Sequence, residues 1–151
     1  VIPDLVEFRD QLLEEVYRPP VGGGRKTIGI PRTMFFYDRF PFWCAYFQEL
    51  GYDVVVSPQT DRKISTVGDE MSIAQPCFPV KVAHGHVQYL IDKGVDYVLL
   101  PNVVNQEAPE HVDESFLCPW NQTLPFVVRA TPQVAKHDYK ILAPTVNFQL
   151  G

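Results

Sequence analysis

Short, continuously apolar runs alternate with longer segments of helical periodicity along most of this chain. The runs TIGIP, YDVVVSP, VDYVLLP and YKILAP each place several apolar residues in succession and each ends at a proline. A further run, PFVVR at residues 125–129, is also predicted to be a strand. Strands that are apolar on both faces are typical of a parallel sheet covered by helices on both sides. The pattern therefore predicts an α/β protein with a Rossmann-like three-layer fold, a mostly parallel sheet and helices on both faces.

Four segments carry apolar or aromatic residues at helical spacing: residues 4–17, 37–51, 61–69 and 79–93. The stretch VGGGRKT separates the first of them from the first strand. Its glycines precede the strand, whereas those of a phosphate-binding loop follow one, so this stretch is interpreted as a linker. We predict an N-terminal helix and glycine-rich linker at residues 1–26 and an α/β domain at residues 27–151. We also expect the chain to be a fragment of a longer multidomain protein.

Composition narrows the possible functions. The 151 residues are 46% hydrophobic and 21% charged, which is enough for one domain with a core. The net charge is −5 and no basic run offsets it, so a nucleic-acid partner is not expected. No apolar run reaches the roughly 18 residues of a membrane span and the start lacks a signal-peptide pattern, so we expect a cytoplasmic protein without a membrane partner. Three widely spaced cysteines indicate free thiols or metal ligands rather than disulfides.

The prolines that end the strands indicate where a ligand would bind. In open α/β sheets, ligands bind at the carboxyl ends of the strands. We expect the loops that follow the prolines to share one edge of the sheet with the segment around Cys77. Ordinary punctuation at the ends of strands explains the prolines equally well. The polar residues of these loops are Arg32, Asn102, Asn105 and Gln106.

The segment PCFPVKVAHGHV, residues 76–87, holds the first candidate site residue. Pro79 fits the first turn of a helix, so Cys77 should lie at the helix N-terminus. The exposed N–H groups and positive dipole end there favour a thiolate, which is the form that binds metal or attacks an electrophile. Cys77 is therefore a candidate metal ligand, and a Cys–His enzyme with Cys77 as its nucleophile is a further alternative.

The same helix carries two histidines and a lysine. His84 falls on the apolar stripe of the helix, whereas His86 and Lys81 lie away from its centre. The two histidines are about 200° apart around the helix, so they cannot share one metal ion. His84 is interpreted as a core imidazole bonded to a backbone carbonyl, with a direct catalytic role as the alternative. His84 also lies about 10 Å along the axis from Cys77, which argues against a Cys–His pair.

The other two cysteines have different surroundings. Cys118, in LCPWNQTLPFVVRA at residues 117–130, is predicted to lie in a loop that leads into the strand PFVVR. Cys44 lies within an aromatic helix, where a small buried residue is the expected role. No Cys-x-x-Cys occurs, so a zinc ribbon or ferredoxin-type site is not supported. Two loop cysteines complete only part of a metal site, and the remaining ligands must come from another domain, another chain or an exogenous group.

Three stretches resemble successive blocks of a known family: residues 28–60, residues 77–104 and CPWNQTLPFVVRA at residues 118–130. The most specific of them has the form Cys-x-Pro-x-Lys-x-x-His-Gly-His and begins at Cys77. Together they are similar to the uncharacterised domain of 2-hydroxyacyl-CoA dehydratase activases, which is related to dehydratase subunits and double-cubane iron–sulfur proteins.

The resemblance implies a cofactor and a function. Long members of this family join the domain to an actin-like ATPase module, in systems that use ATP to drive electrons to low potential. The implied metal ligands are Cys77 and Cys118, for an iron–sulfur cluster of the [4Fe–4S] type. Lys81, His84 and Arg32 are the residues expected to support the cofactor. The nucleotide-binding motifs are absent, so ATP is expected only on a separate domain and no complete active site is expected here.

The expected partners are the other domains of the same long chain and a 2-hydroxyacyl-CoA dehydratase-like protein, with a homodimer as a further possibility. The alternative function is a non-catalytic docking or scaffold domain that links the ATPase module to its dehydratase partner. That alternative predicts that Cys77 and Cys118 lie far apart with both sulfurs packed in apolar surroundings.

Overall fold

The computed structural model describes residues 3–108 and 115–150. The helices are α1 Leu5–Glu15, α2 Phe36–Glu49, α3 Arg62–Met71, α4 Phe78–Asp92, α5 Pro119–Arg129 and α6 Pro132–Ala135. The strands are β1 Thr27–Ile30, β2 Asp53–Val56, β3 Tyr97–Leu99, β4 Asn102–Asn105, β5 Ile141–Leu142 and β6 Thr145–Asn147. Single 3₁₀ turns span Asp138–Lys140 and Phe148–Leu150.

Four strands form a parallel sheet in the order β2-β1-β3-β5, with the helices around it. This arrangement confirms the predicted α/β fold. Buried residues of the sheet and of each described α-helix form one apolar core. Its largest fully buried members include Phe36, Phe40, Ile28, Ile30, Leu90, Leu99, Leu100 and Leu124.

The strands β3 and β5 continue beyond their prolines as a second parallel pair, β4 and β6. The Leu100 amide donates to the Leu142 carbonyl at 2.8 Å, and the Asn102 amide donates to the Pro144 carbonyl at 2.8 Å. Pro101 therefore interrupts a strand pair rather than ending it, because proline cannot donate to the ladder. Strands β4 and β6 were not predicted from the sequence.

The prediction that PFVVR forms a strand is wrong, since residues 125–129 belong to helix α5. Leu124 and Val128, four residues apart, are both fully buried, which is the spacing of one helical face. Pro125 lies within the helix and is itself buried. The adjacent valines imitate a strand locally, whereas burial of one face against the core stabilises the helix.

Helices α3 and α4 pack unusually closely, and two glycines allow this contact. A Cβ atom at Gly68 would lie 2.2 Å from the Lys81 carbonyl oxygen, and one at Gly85 would lie 2.1 Å from the Ile64 carbonyl oxygen. Only glycine permits this backbone approach. As a result α4 is buried on two sides, against the sheet and against α3.

The predicted N-terminal helix is present as α1, but much of its apolar side is exposed. Leu5, Phe8 and Leu12 are exposed, and Leu13 is the buried residue of this helix. The glycine-rich linker that follows is held by Asp53, whose carboxylate accepts from the Val21 and Gly22 amides at 3.2 and 2.8 Å. Within the described part of the chain, no helix has both the length and the apolar character to cross a bilayer.

Candidate functional site

The carboxyl end of β1 is the topological switch point of the sheet. The chain leaves β1 towards β2 on one side, while β3 pairs with β1 on the other. Ligands of open α/β sheets bind in the crevice at such a point. The loop between β1 and α2 also contains Met34, whose φ of +50° is unusual for a residue other than glycine. Such a conformation is found where the surrounding structure fixes the backbone.

Cys77 occupies the N-cap position of α4, as the sequence predicts. Its thiol is exposed and makes no capping hydrogen bond, while its carbonyl accepts from the Val80 and Lys81 amides at 3.1 and 3.3 Å. The next two residues, Phe78 and Pro79, line a cavity of about 340 Å³. We call this the Arg32 cavity; its walls are formed by Arg32, Thr33, Met34, Tyr37, Thr60, Phe78, Pro79 and Val82.

Cys118 is also a helix N-cap, at the start of α5, and this corrects the prediction that it lies in a loop leading into a strand. Its thiol is exposed, and its carbonyl accepts from the Asn121 and Gln122 amides at 2.8 and 3.1 Å. The residue lines a second cavity of about 240 Å³. We call this the Cys118 cavity; its walls are formed by Met34, Phe35, Asp38, Arg39, Val103, Gln106, Leu117, Cys118 and Asn121.

Met34 lines both cavities, so the N-termini of α4 and α5 flank the same β1–α2 loop. Of the residues predicted to share this edge, Arg32 lies with the start of α4 and Gln106 lies with Cys118. Asn102 and Asn105 have different contacts: Asn102 bonds Thr145 across the second strand pair, and Asn105 is buried and bonds Gln149.

Each cavity has an arginine in its wall with a buried nitrogen that has no hydrogen-bond partner. For Arg32 the atom is Nη1, and its side chain is 11% exposed. For Arg39 the atom is Nε, and its side chain is 24% exposed. Each arginine has one weak, mostly exposed counterion: Glu14 lies 3.7 Å from Arg32 Nη2 and Glu107 lies 3.8 Å from Arg39 Nη2. The loop therefore has one arginine on each side whose charge exposed carboxylates neutralise only in part, and Asp38 adds a negative charge to the wall of the Cys118 cavity.

His84 is a fully buried core residue, as the sequence predicts. Its Nδ1 donates to the Val80 carbonyl oxygen at 2.8 Å, and its Nε2 has no partner. Burial lowers its pKa, with the Val80 hydrogen bond acting in the opposite direction.

His86 lies on the far side of the helix from His84, but that side is buried as well. Its Nδ1 lies 2.9 Å from Ser57 Oγ and its Nε2 lies 3.0 Å from Thr60 Oγ1. Burial, with a smaller contribution from the nearby Arg32 charge, lowers its pKa to about 4, although Asp61 opposes the shift. Neither histidine is hydrogen-bonded to Cys77, so the geometry of a Cys–His nucleophile is absent.

Lys81 is more than a solvated side chain. Its Nζ donates to Asp69 at 2.7 Å and to Gln75 at 2.8 Å. Since Asp69 is in α3 and Gln75 precedes Cys77, the lysine ties the segment that carries the thiol to the neighbouring helix. Cys44 is buried, as predicted, and burial is the main cause that raises the pKa of its thiol.

The described residues contain no group of three or more histidine, cysteine, aspartate or glutamate side chains placed to hold a metal ion. Sequence reasoning missed Met34, Arg39 and the pair Ser57 and Thr60. No local signal marks Met34 or Arg39, because their importance comes from where the sheet places them. Ser57 and Thr60 directly follow a strand, and that position is the signal that could have identified them.

The chain was compared with known proteins. A family model described as CoA enzyme activase uncharacterised domain matches residues 27–151. No curated protein matches the chain, and no solved structure matches it.

Proposed function

Because this chain belongs to the family described as CoA enzyme activase uncharacterised domain, we propose that it serves in a 2-hydroxyacyl-CoA dehydratase activase-like system as a domain that holds an iron–sulfur cluster. Cys77 and Cys118 supply two of the thiolate ligands of a [4Fe–4S]-type cluster. The cluster carries electrons at low potential, and ATP hydrolysis on a separate domain drives the transfer. The dehydratase-like partner receives the electrons in the cytoplasm.

The position of the two cysteines carries the proposal. Both are exposed N-cap residues, and their helices begin on either side of the loop that contains Met34. A helix N-terminus presents free N–H groups and the positive end of the helix dipole, so both thiols lie beside groups that attract an anionic ligand. Exposure of both thiols also differs from the docking alternative, which expects sulfurs packed in apolar surroundings.

The charges around the loop also support an anionic cofactor. A cluster ligated by thiolates is negatively charged, and its potential rises with nearby positive charge and hydrogen-bond donors. Arg32 and Arg39 provide that charge beside the two helix N-termini. Lys81 acts less directly, since its ammonium group is already paired and positions the segment before Cys77. His84 supports α4 from within the core.

The described residues fit such a cluster in part. Thiolates are its preferred ligands, but a cubane cluster takes four and this domain offers two exposed ones. The remaining ligands come from another domain of the long chain, from a partner or from a second copy. The domain is therefore one side of a shared site.

Iron analysis of the full-length protein after anaerobic reconstitution tests the proposal. Wild type should show a broad absorption band at about 400 nm, as thiolate-ligated clusters do. Cys77→Ser and Cys118→Ser should each lose bound iron and sulfide, whereas Cys44→Ala, a matched change at a buried cysteine, should retain them. Equal iron content in all four proteins would refute the assignment of these ligands.

A docking domain between the ATPase module and its dehydratase partner is the second candidate. Exposed apolar residues on α1 and on α2 favour it, since contiguous residues of this kind mark contact surfaces. Leu5, Phe8 and Leu12 are exposed on α1 at helical spacing, and the exposed rings of Phe42 and Tyr46 on α2 stack with their centroids 6.2 Å apart. Normal iron binding in a chain that has polar residues at these positions, together with loss of dehydratase activation, would show that docking is a separate function of the domain.

A further inference from the structure

The Arg32 cavity is a candidate small-molecule site in its own right. Its volume of about 340 Å³ falls within the range of ligand pockets. Neither Cys77 nor Cys118 lines this cavity, so a ligand can bind in it whether or not these cysteines hold a cluster. Its walls combine apolar side chains, including Phe78 and Val82, with a cation and three hydroxyl-bearing residues, Thr33, Tyr37 and Thr60.

The hydrogen bonds of Ser57 and His86 determine whether the Thr60 hydroxyl accepts or donates towards His86. Ser57 is 1% exposed, and its Oγ already accepts from the Arg32 amide at 2.7 Å. Its own proton then needs an acceptor, and His86 Nδ1 at 2.9 Å supplies one. With Nδ1 as an acceptor, the neutral ring carries its proton on Nε2 and donates it to Thr60 Oγ1 at 3.0 Å.

Thr60 is therefore an acceptor towards His86, and its own proton is free to donate elsewhere. If His86 carried its proton on Nδ1 instead, the buried Ser57 hydroxyl would have no acceptor for its own proton. An unsatisfied buried donor destabilises the folded state, so the Nε2 tautomer is favoured. Thr60 is exposed and lines the Arg32 cavity. The cavity wall thus contains an available hydroxyl donor.

Arg32 adds a second, charged donor to the same wall. Its guanidinium group is mostly buried and its Nη1 has no partner, while Nε reaches the Ser57 carbonyl at a long 3.4 Å. The nearest carboxylate, Glu14, stays 3.7 Å from Nη2 and is mostly exposed. A buried guanidinium with an unmade hydrogen bond is a costly arrangement that an entering oxyanion would relieve.

We propose that the Arg32 cavity binds a small organic oxyanion with a short apolar body, its carboxylate or phosphate group held by Arg32 and Thr60. The apolar part lies against Met34, Phe78 and Val82. Binding is reversible and involves no chemical step.

Nuclear magnetic resonance titration of the ¹⁵N-labelled chain with hexanoate, hexyl phosphate and hexan-1-ol tests the proposal. At least one of the two anions should shift the amides of Arg32, Thr60 and Phe78, and hexan-1-ol should bind at least about tenfold more weakly because it lacks the charge. The anion that binds more tightly identifies the head group. Equal binding of the alcohol, or no shifts with either anion up to about 10 mM, would overturn the proposal.

Four variants separate the site from general damage to the fold. Arg32→Gln should weaken anion binding about tenfold or more, while Arg32→Lys keeps the charge and should retain part of it. Thr60→Val should weaken binding about threefold or more, whereas Thr60→Ser should bind as wild type does. The spectrum of each variant is recorded without ligand first, so an unfolded variant is recognised before titration.

Glu14→Gln provides an independent test, because Glu14 is exposed on α1 and is the carboxylate that competes for Arg32. Removing its charge should strengthen anion binding about twofold or more. Weaker binding in Glu14→Gln, or unchanged binding in Arg32→Gln, would refute the role of Arg32. No iron is present in these measurements, so failure here and failure of the cluster assignment are distinguishable.

Discussion

Acidification from about pH 7 to about pH 5 should destabilise this protein through His86. The imidazole is fully buried between two hydroxyl groups, and its pKa falls from 6.5 to about 4 on folding. The folded state therefore binds fewer protons than the unfolded state in this pH range. Stability is highest above the unfolded pKa, falls as the pH drops through 6.5, and stops falling once the pH is below about 4.

The expected magnitude follows from these two pKa values. At about pH 5 the unfolded His86 is almost fully protonated, whereas the folded residue is still mostly neutral. The difference amounts to about 2 kcal/mol of unfolding free energy lost between about pH 7 and pH 5. That is a large fraction of the stability of a typical domain, so it is measurable.

Urea unfolding followed by circular dichroism at the two pH values measures the loss. His86→Gln keeps an amide between Ser57 and Thr60 but cannot be protonated in this range. The variant should lose about 2 kcal/mol less than wild type on acidification, although it is less stable at neutral pH. His84 has a lowered pKa as well, but its contribution is common to both proteins and cancels. Equal losses in wild type and His86→Gln would refute the reasoning.

Two further predictions concern helix packing and the thiols. Gly85→Ala should destabilise the fold by about 3 kcal/mol or more, because its Cβ would lie 2.1 Å from the Ile64 carbonyl oxygen. Thr66→Ala, at an exposed position of α3, should be close to neutral in the same urea experiment. Equal effects of the two changes would contradict the close approach of α3 and α4. Iodoacetamide at neutral pH should modify Cys77 and Cys118 quickly and Cys44 only after unfolding, because only the first two are exposed. Peptide mass spectrometry measures the extent of modification at each cysteine. Rapid modification of Cys44 in the folded chain would contradict its burial.

Much of the fold can be predicted from the sequence because its signals are local. Four apolar runs became the strands of one parallel sheet, and four periodic segments became helices. The N-cap position of Cys77 follows from Pro79 alone, since proline is favoured in the first turn of a helix. The buried His84 follows from its place on the apolar stripe.

The errors arose where local preference and tertiary packing disagree. The valines of PFVVR favour a strand, but residues 125–129 are helical because Leu124 and Val128 bury one helical face. His86 is buried on a second side of α4, where the segment after β2 supplies Ser57 and Thr60 as its partners. A single apolar stripe predicts only one buried side. Gly68 and Gly85, which allow α3 to approach α4, are visible in the sequence, but the pairing of the two helices is not.

The sequence by itself determined the four strands of the main sheet and helices α1 to α4, the helix N-terminus at Cys77 and the family of the domain, because these depend on residues close together in the chain. Only the tertiary structure decided that the starts of α4 and α5 flank the loop at Met34, and that Arg32 and Thr60 share a cavity. Those neighbours come from separate βα units, and the parallel sheet brings their ends to one edge. The order of the strands in the sheet decides which of these ends become neighbours, and no local sequence pattern specifies that order.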